Sequence, residues 1–317
     1  MAKLSKKVII AGAGTMGASL AQVYALAGWE TVVYGRSEAG LERGKHLISL
    51  NQATLIEKEI ITKEQSETAL ENISFTTSDD CFSDCDLVVE SIVEDMEKKK
   101  EFWSKISALC PENALLSSNT SGLSITEMAT AVHNPARFMG QHWLNPPHLL
   151  PLCEIVVGEE SDEARVAEMR SLVASLGKSP VIVKDIPGFL INRVQFALLR
   201  EVLHIVESGW ASFEDIDTVL KGGMGLRYAA LGPFGVADFG GLDVFEHISS
   251  YLNAKLCDRK DVSEMFSRMV AEGRLGVKSG AGFYDYSGDK ADTAVKDRDE
   301  LYIELAKLLY FKKGGAK

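Results

Sequence analysis

His142 and Glu154, twelve residues apart, have the residue types and the setting for proton abstraction. They lie in the stretch FMGQHWLNPPHLLPLCE, Phe138 to Glu154, which opens as a short apolar strand and turns on Asn145-Pro146-Pro147. An apolar run then resumes through Glu154-Ile-Val-Val. Strand, turn, strand predicts a hairpin-like return that brings the two side chains face to face. A carboxylate on one imidazole nitrogen fixes the tautomer, leaves the other nitrogen towards substrate and stabilises the imidazolium that forms. A partly buried histidine with a nearby surface glutamate is the plainer alternative for this stretch taken alone. A second polar group, Asn119-Thr-Ser121-Gly122, follows the strand Ala114-Leu-Leu-Ser-Ser118. Polar residues at the carboxyl end of a sheet strand lie where open α/β sheets bind ligands. For Ser121 the alternative is to cap the next helix.

The elements that must hold these residues begin at the N-terminus. Lys7-Val-Ile-Ile-Ala11 reads as a buried strand feeding Gly12-Ala-Gly14-Thr15-Met16-Gly17, with a helix over Ala18 to Ala27 and a second strand over Thr31 to Tyr34. In that context Gly12 permits the tight turn, Gly14 lets the backbone approach a pyrophosphate and Gly17 lets the helix pack close, with the helix N-terminus facing the phosphates. A dinucleotide cofactor is expected. The second strand ends in Gly35-Arg36-Ser37, without the carboxylate that usually holds the ribose of NAD. Guanidinium binds phosphate bidentately, so this ending favours NADP, with a solvent-facing arginine as the alternative.

Further along, Ala39 to Ile73 reads as two polar-faced helices, and Asp86-Leu-Val-Val-Glu90 as the next buried strand. The lysine run in Glu94-Asp-Met-Glu-Lys-Lys-Lys, entering a helix, reads as a solvated face, and Pro180-Val-Ile-Val-Lys184 is the last strand. Pro187-Gly188 marks a boundary between residues 1–186, an α/β dinucleotide-binding domain, and residues 187–317, a smaller all-α domain. There Phe189 to Ser208 reads as a long amphipathic helix and Ser212-Phe-Glu-Asp215 as a capped helix start. Gly222-Gly-Met-Gly-Leu-Arg-Tyr reads as a glycine-rich loop, and a helix is expected over Gly241 to Leu256. Gly276 to Tyr284 is a second glycine loop before a charged C-terminal helix.

Composition limits the function classes. The chain has 317 residues, 46% hydrophobic and 25% charged, as ordinary two-domain globular proteins do. A net charge of −11 makes a nucleic-acid partner an unsuitable reading. The opening Met-Ala-Lys-Leu-Ser-Lys-Lys has no apolar signal core, and no run is long enough to cross a bilayer. Cysteines 81, 85, 110, 153 and 257 form neither a disulfide framework nor a CxxC pair, so reduced thiols in the cytoplasm are expected, and no metal site.

Taken in order, GAGTMG, VVESIVED, SSNTSGLSIT, GQHWLNPP, LCEIV, PGFLINR, GPFGVADFGGLD and GVKSGAGFY resemble the 3-hydroxyacyl-CoA dehydrogenase family across nearly the whole chain. The resemblance implies a Rossmann-like domain followed by a helical domain through which a homodimer forms. It makes His142 the catalytic histidine, Glu154 its partner, and Ser121 and Asn192 the residues holding the reacting oxygen. It puts Glu94, Lys99, Asn119 and Lys278 beside the cofactor, with Lys58 towards coenzyme A. The chain departs from the family at Gly35, where the NAD-type aspartate is missing, and at Asn51, where a serine reaches coenzyme A. Gly225-Leu-Arg227-Tyr-Ala is similar to the branch containing L-gulonate 3-dehydrogenase and the lens lambda-crystallin relatives. HWLNPPH and SSYLNAKLCDRKDV are similar to a branch acting on a substituted pyridine carboxylate. The expected reaction is hydride transfer between NAD(P) and a 3-hydroxyacyl-CoA type substrate, with a free hydroxy acid clamped by Arg227 as the rival. A crystallin-like or sensor protein would keep the glycine loop and lose the proton-transfer pair; both members of that pair are present.

Overall fold

The computed structural model describes residues 6–310. The opening residues read above for a leader lie outside it as far as residue 5, as do residues 311–317 at the chain end. Residues 6–193 together with Tyr302–Tyr310 pack as one compact unit, and Val194–Leu301 as another.

The first unit is built on an eight-stranded sheet. In chain order it contains β1 (Lys7–Ala11), α1 (Thr15–Leu26), β2 (Glu30–Tyr34), α2 (Glu38–Glu57), α3 (Lys63–Glu71), β3 (Ile73–Thr76) and β4 (Leu87–Glu90). It continues through α4 (Met96–Ile106), β5 (Leu115–Ser118), α5 (Ile125–Ala129), β6 (Phe138–Trp143), β7 (Leu152–Val157), α6 (Glu163–Ser175) and β8 (Ser179–Lys184). The strand order is β3-β2-β1-β4-β5-β6-β7-β8, parallel through β6, with β7 antiparallel to β6 and parallel to β8. Order reverses between β1 and β4, and it is at such a reversal that open α/β sheets make a ligand crevice.

The strands carry apolar residues on both faces because helices cover both. Val8 and Ile10 of β1 point into one core with Leu20 and Tyr24 of α1, while Ile9 and Ala11 point into the other with Trp103 and Ile106 of α4. This alternation explains why β1 reads as a continuous apolar run in the sequence. Edge strand β3 is short and only partly buried, which is why the sequence pattern passed over it.

The second unit is helical. It holds most of α7 (Ile191–Glu207), then α8 (Phe213–Val219), α9 (Leu226–Gly240), α10 (Leu242–Leu252), α11 (Glu264–Ala271) and the start of α12 (Lys290–Leu309). Ser212 and Asp215 cap α8 reciprocally, as their spacing predicts. The segment expected as a glycine-rich loop is instead a π-helical turn, Leu220–Gly225, running directly into α9. A Cβ on Gly225 would lie 2.9 Å from the Leu220 carbonyl, so glycine lets this wide turn close. The helical run breaks at Gly232 (φ +70°) before Pro233. Leu203, Val236 and Met269 are the only buried apolar side chains of this unit among the described residues. From Tyr302 on, α12 belongs to the sheet unit, where Ile303 packs with Leu55 and Leu149.

Candidate active site

The glycine motif makes a cradle at the carboxyl end of β1. Gly12 takes φ +131°, and its amide donates to the Tyr34 carbonyl over 2.9 Å. A Cβ there would meet the Ser91 carbonyl at 2.3 Å, and one on Gly17 would meet the Gly12 carbonyl at 1.8 Å. Gly14 faces open space. Thr15 and Met16 begin α1, whose first turn carries no acidic residue, so its unpaired amides suit an anionic phosphate. These residues fit the pyrophosphate of a dinucleotide.

Where the second strand ends, Gly35 is buried, and a Cβ on it would lie 2.6 Å from Leu41 Cδ2. Arg36 is exposed. The Ser37 hydroxyl accepts from the Gly40 amide and caps α2, so of Arg36 and Ser37 only Arg36 is not engaged in a cap.

The proton-transfer pair comes together through strand register. In the β6–β7 antiparallel pair His142 stands directly opposite Glu154, and His142 Nδ1 lies 2.7 Å from Glu154 Oε2. His142 is 4% exposed and Glu154 1%. The second carboxylate oxygen is held by backbone: Leu190 N and Ile191 N donate to Glu154 Oε1 over 3.0 and 2.9 Å. Gly188 (φ +77°) and Phe189 (φ +50°) make the turn that aims those amides. A phenylalanine in the left-handed region is strained, and the buried Phe189 ring, 5.5 Å from the imidazole, holds it there. Burial pushes the Glu154 carboxyl up, but the His142 hydrogen bond and the Ile191 and Leu190 amides outweigh it and hold the group below its ordinary value. An ionised Glu154 facing Nδ1 leaves Nε2 as the nitrogen to receive a proton.

Beside this pair lies the loop after β5. Ser121 is exposed; its amide donates to Glu94 Oε1 (2.8 Å) and its carbonyl accepts from Asn192 Nδ2 (2.7 Å), so Ser121 and Asn192 are linked at the start of α7. Asn119 is buried, with Nδ2 donating to Ser91 Oγ over 3.3 Å and Oδ1 accepting from Trp143 N over 3.0 Å. It therefore ties the residue after His142 to the Gly12–Ser91 contact. The lysine run does not form a uniform solvated face: Lys98 is exposed, whereas Lys99 is 0% exposed and donates to Glu90 Oε1 over 2.5 Å.

Of the remaining expected site residues, Lys58 belongs to the sheet unit, and Arg227 and Lys278 belong to the helical unit. Lys58 ends α2, and its carbonyl accepts from Lys307 Nζ over 3.0 Å. Arg227, in the helical unit, is in the first turn of α9 and not in a loop, its Nε donating to the Gly223 carbonyl over 3.3 Å. Lys278, in the same unit, borders an apolar cavity of about 650 Å³ lined by α7, α8 and α11. The sequence reading missed Glu90, Thr120 and the Leu190 and Ile191 amides. An acid closing an apolar strand, as Glu90 does, was the available signal; backbone amides carry none.

Residues 7–186 match the 3-hydroxyacyl-CoA dehydrogenase NAD-binding domain, and residues 188–286 the C-terminal domain of the same family. The chain is 34% identical to 5-formyl-3-hydroxy-2-methylpyridine 4-carboxylate 5-dehydrogenase of Mesorhizobium japonicum, over 96% of this chain and 98% of that protein. It is 39% identical to a probable 3-hydroxybutyryl-CoA dehydrogenase of Deinococcus radiodurans, over 87% and 99%. The crystal structure of a 5-formyl-3-hydroxy-2-methylpyridine 4-carboxylic acid 5-dehydrogenase, an NAD+-dependent dismutase, superposes with a TM-score of 0.90 at 34% identity, covering 96% of this chain and 99% of that one. With an NAD-binding domain and a helical domain matched in order, this chain belongs to the 3-hydroxyacyl-CoA dehydrogenase family, a dehydrogenase acting on CH–OH groups.

Proposed function

We propose that the chain oxidises the 3-hydroxyl carbon of a 3-hydroxyacyl-CoA type substrate, or reduces the matching ketone, with His142 as base and acid. The observation that carries this reading is the buried His142–Glu154 pair at 2.7 Å. A nicotinamide dinucleotide, when bound, supplies the hydride acceptor or donor. Gly12, Gly14, Thr15, Met16 and Gly17 hold its phosphates, with Glu94, Asn119 and Lys278 assigned to the same cofactor; Lys99, expected beside it, is fully buried against Glu90 and does not reach it. Arg36 takes a 2′-phosphate and gives a preference for NADP. His142 Nε2 takes the hydroxyl proton, while Glu154 holds the tautomer and stabilises the imidazolium. The Ser121 hydroxyl and Asn192 amide position the reacting oxygen or its neighbouring carbonyl, and Lys58 serves the coenzyme A moiety. The chain works as a cytoplasmic homodimer formed through the helical domain, with a role in fatty acid metabolism under this reading.

A free hydroxy acid or hydroxylated carboxylate is the second reading. It is favoured by the nearly full-length match to the pyridine-carboxylate dehydrogenase and by the exposed Arg227 guanidinium, suited to clamp a carboxylate. A panel of acyl-CoA thioesters and free hydroxy acids, read by nicotinamide absorbance, tests both readings. Turnover of the thioesters supports the first, and turnover of the free acids alone moves the second ahead. Binding of the dinucleotide without turnover of either class would sink both. Arg227→Met is expected to raise KM for an acid substrate and leave an uncharged short acyl-CoA much less affected.

A further inference from the structure

Behind the Ser121 loop lies a polar chain that proton transfer does not itself require. Glu90, the last residue of β4, and Lys99, on α4, are both fully buried and joined at 2.5 Å. Glu90 has further partners: Ile92 N donates to Oε1 over 2.8 Å and Ser118 Oγ to Oε2 over 2.6 Å. Lys99 Nζ also lies 3.5 Å from Glu94 Oε2. Glu94 in turn accepts, at Oε1, from Thr120 Oγ1 (2.6 Å) and from Ser121 N (2.8 Å). Thr120 Oγ1 itself accepts from Leu123 N over 3.0 Å, closing the turn that presents Ser121. The same turn passes its carbonyl at Ser121 to Asn192.

Two ions removed from water gain little stability over an apolar pair of the same shape, because desolvation offsets most of their attraction. What a fully partnered buried pair does supply is a single geometry for the groups bonded to it. Held in this way, Lys99 Nζ has no exposed surface with which to reach a ligand. Its charge instead backs the half-exposed Glu94, whose other oxygen fixes the Ser121 amide. We infer that Glu90, Lys99 and Thr120 are positioning residues that lock Glu94, and through it set where Ser121 and Asn192 hold the substrate oxygen. This rests on the proposed function, in which Ser121 and Asn192 hold that oxygen.

Thr120→Val and Thr120→Ser give the decisive comparison, since the first removes the hydroxyl at similar volume and the second keeps it. The readouts are kcat, KM for the best substrate of the panel, the dinucleotide Kd by fluorescence titration, and Tm. Thr120→Val is expected to lower kcat/KM by about 10- to 100-fold, the scale of a misplaced reacting group, with the dinucleotide Kd nearly unchanged. Thr120→Ser is expected to restore it. Glu90→Gln, which keeps acceptors for Ile92 and Ser118 but removes the charge opposite Lys99, is expected to act in the same direction. Should Glu90→Gln not fold, the threonine pair decides the question alone. Wild-type kcat/KM in Thr120→Val overturns the inference, as does a loss confined to dinucleotide affinity, which would make the cluster a cofactor site. His142→Gln measured alongside separates the two levels. If it is crippled while Thr120→Val is normal, only the positioning role falls. If it turns over normally, the base assignment falls, and the positioning role is judged on the Thr120 variants' kcat/KM.

Discussion

At His142 the two ring nitrogens face different surroundings, and the difference sets the expected chemistry. Nδ1 is 2.7 Å from a carboxylate that two backbone amides hold from the other side, so the imidazole can neither flip nor choose its tautomer freely. His142→Gln is expected to lower turnover by about 10²–10⁴-fold with dinucleotide affinity intact. Glu154→Gln should act in the same direction, because a neutral amide no longer stabilises the imidazolium. Steady-state kinetics beside a cofactor titration checks both, and near-normal turnover in two folded variants would remove the pair from the mechanism. Arg36 supports a separate expectation, that NADPH binds more tightly than NADH. Arg36→Ile should weaken NADPH binding by about tenfold, the worth of a partly solvated hydrogen bond to a charged group, and leave NADH nearly unaffected. Tighter NADH binding by the unmodified protein would make Arg36 a surface residue. Installing the missing acid at Gly35 is a less clean test, since its Cβ would press on the buried Leu41 at 2.6 Å.

Among the elements, α5 and β8 are joined by one carboxylate. Asp185, just past β8, accepts from Ser124 Oγ (2.7 Å) and Thr126 N (2.8 Å), and so holds the N-terminus of the five-residue α5 that follows the Ser121 loop. Burial pushes the Asp185 carboxyl up, but the Thr126 amide and Ser124 hydroxyl outweigh it and keep the group below its ordinary 3.8. With the folded value depressed, the ionised form contributes stability fully above pH 3.8, and that contribution is lost as pH falls through the lower folded value. Asp185→Ala is expected to cost about 1–2 kcal/mol near neutral pH, the usual worth of a helix cap. Urea denaturation at stepped pH should show the gap between wild type and Asp185→Asn narrowing only below pH 3.8. A gap independent of pH would mean that the charge is not its source. The π-turn into α9 shows the limit of element reading from composition. Three glycines in four residues argue for a loop by propensity, yet a capped α8 precedes them and proline appears only at Pro233, so the helix runs on.

On the scale of the whole molecule, the helical unit exposes what a stable domain normally covers. Phe234 is 86% exposed, Phe239 84% and Leu226 70%, while only three apolar side chains of that unit are buried among its described residues. Apolar area on this scale marks an interface, and the expected partner is a second copy of the chain. Sedimentation or light scattering should give twice the 34.6 kDa chain mass, and Phe234→Asp with Phe239→Asp should shift it to one chain. A monomeric wild type with normal activity would remove the dimer from the account.

The sequence alone determined the parts whose signals are local. A glycine triplet between a strand and a helix requires a tight, close-packed turn, because side chains at Gly12 and Gly17 would overlap backbone at 2.3 and 1.8 Å. Apolar runs either side of two prolines point to a return that could bring His142 and Glu154 face to face, and the antiparallel register of the paired strands sets them directly opposite. Other features depended on tertiary structure, for the converse reason. The amides on Glu154 come from residues 36 and 37 positions away, and an amide's direction is set by the turn at Gly188 and Phe189. Lys99 looks like its solvated neighbours until β4 brings Glu90 beneath it, since a charge can be buried only where the fold delivers its counter-charge.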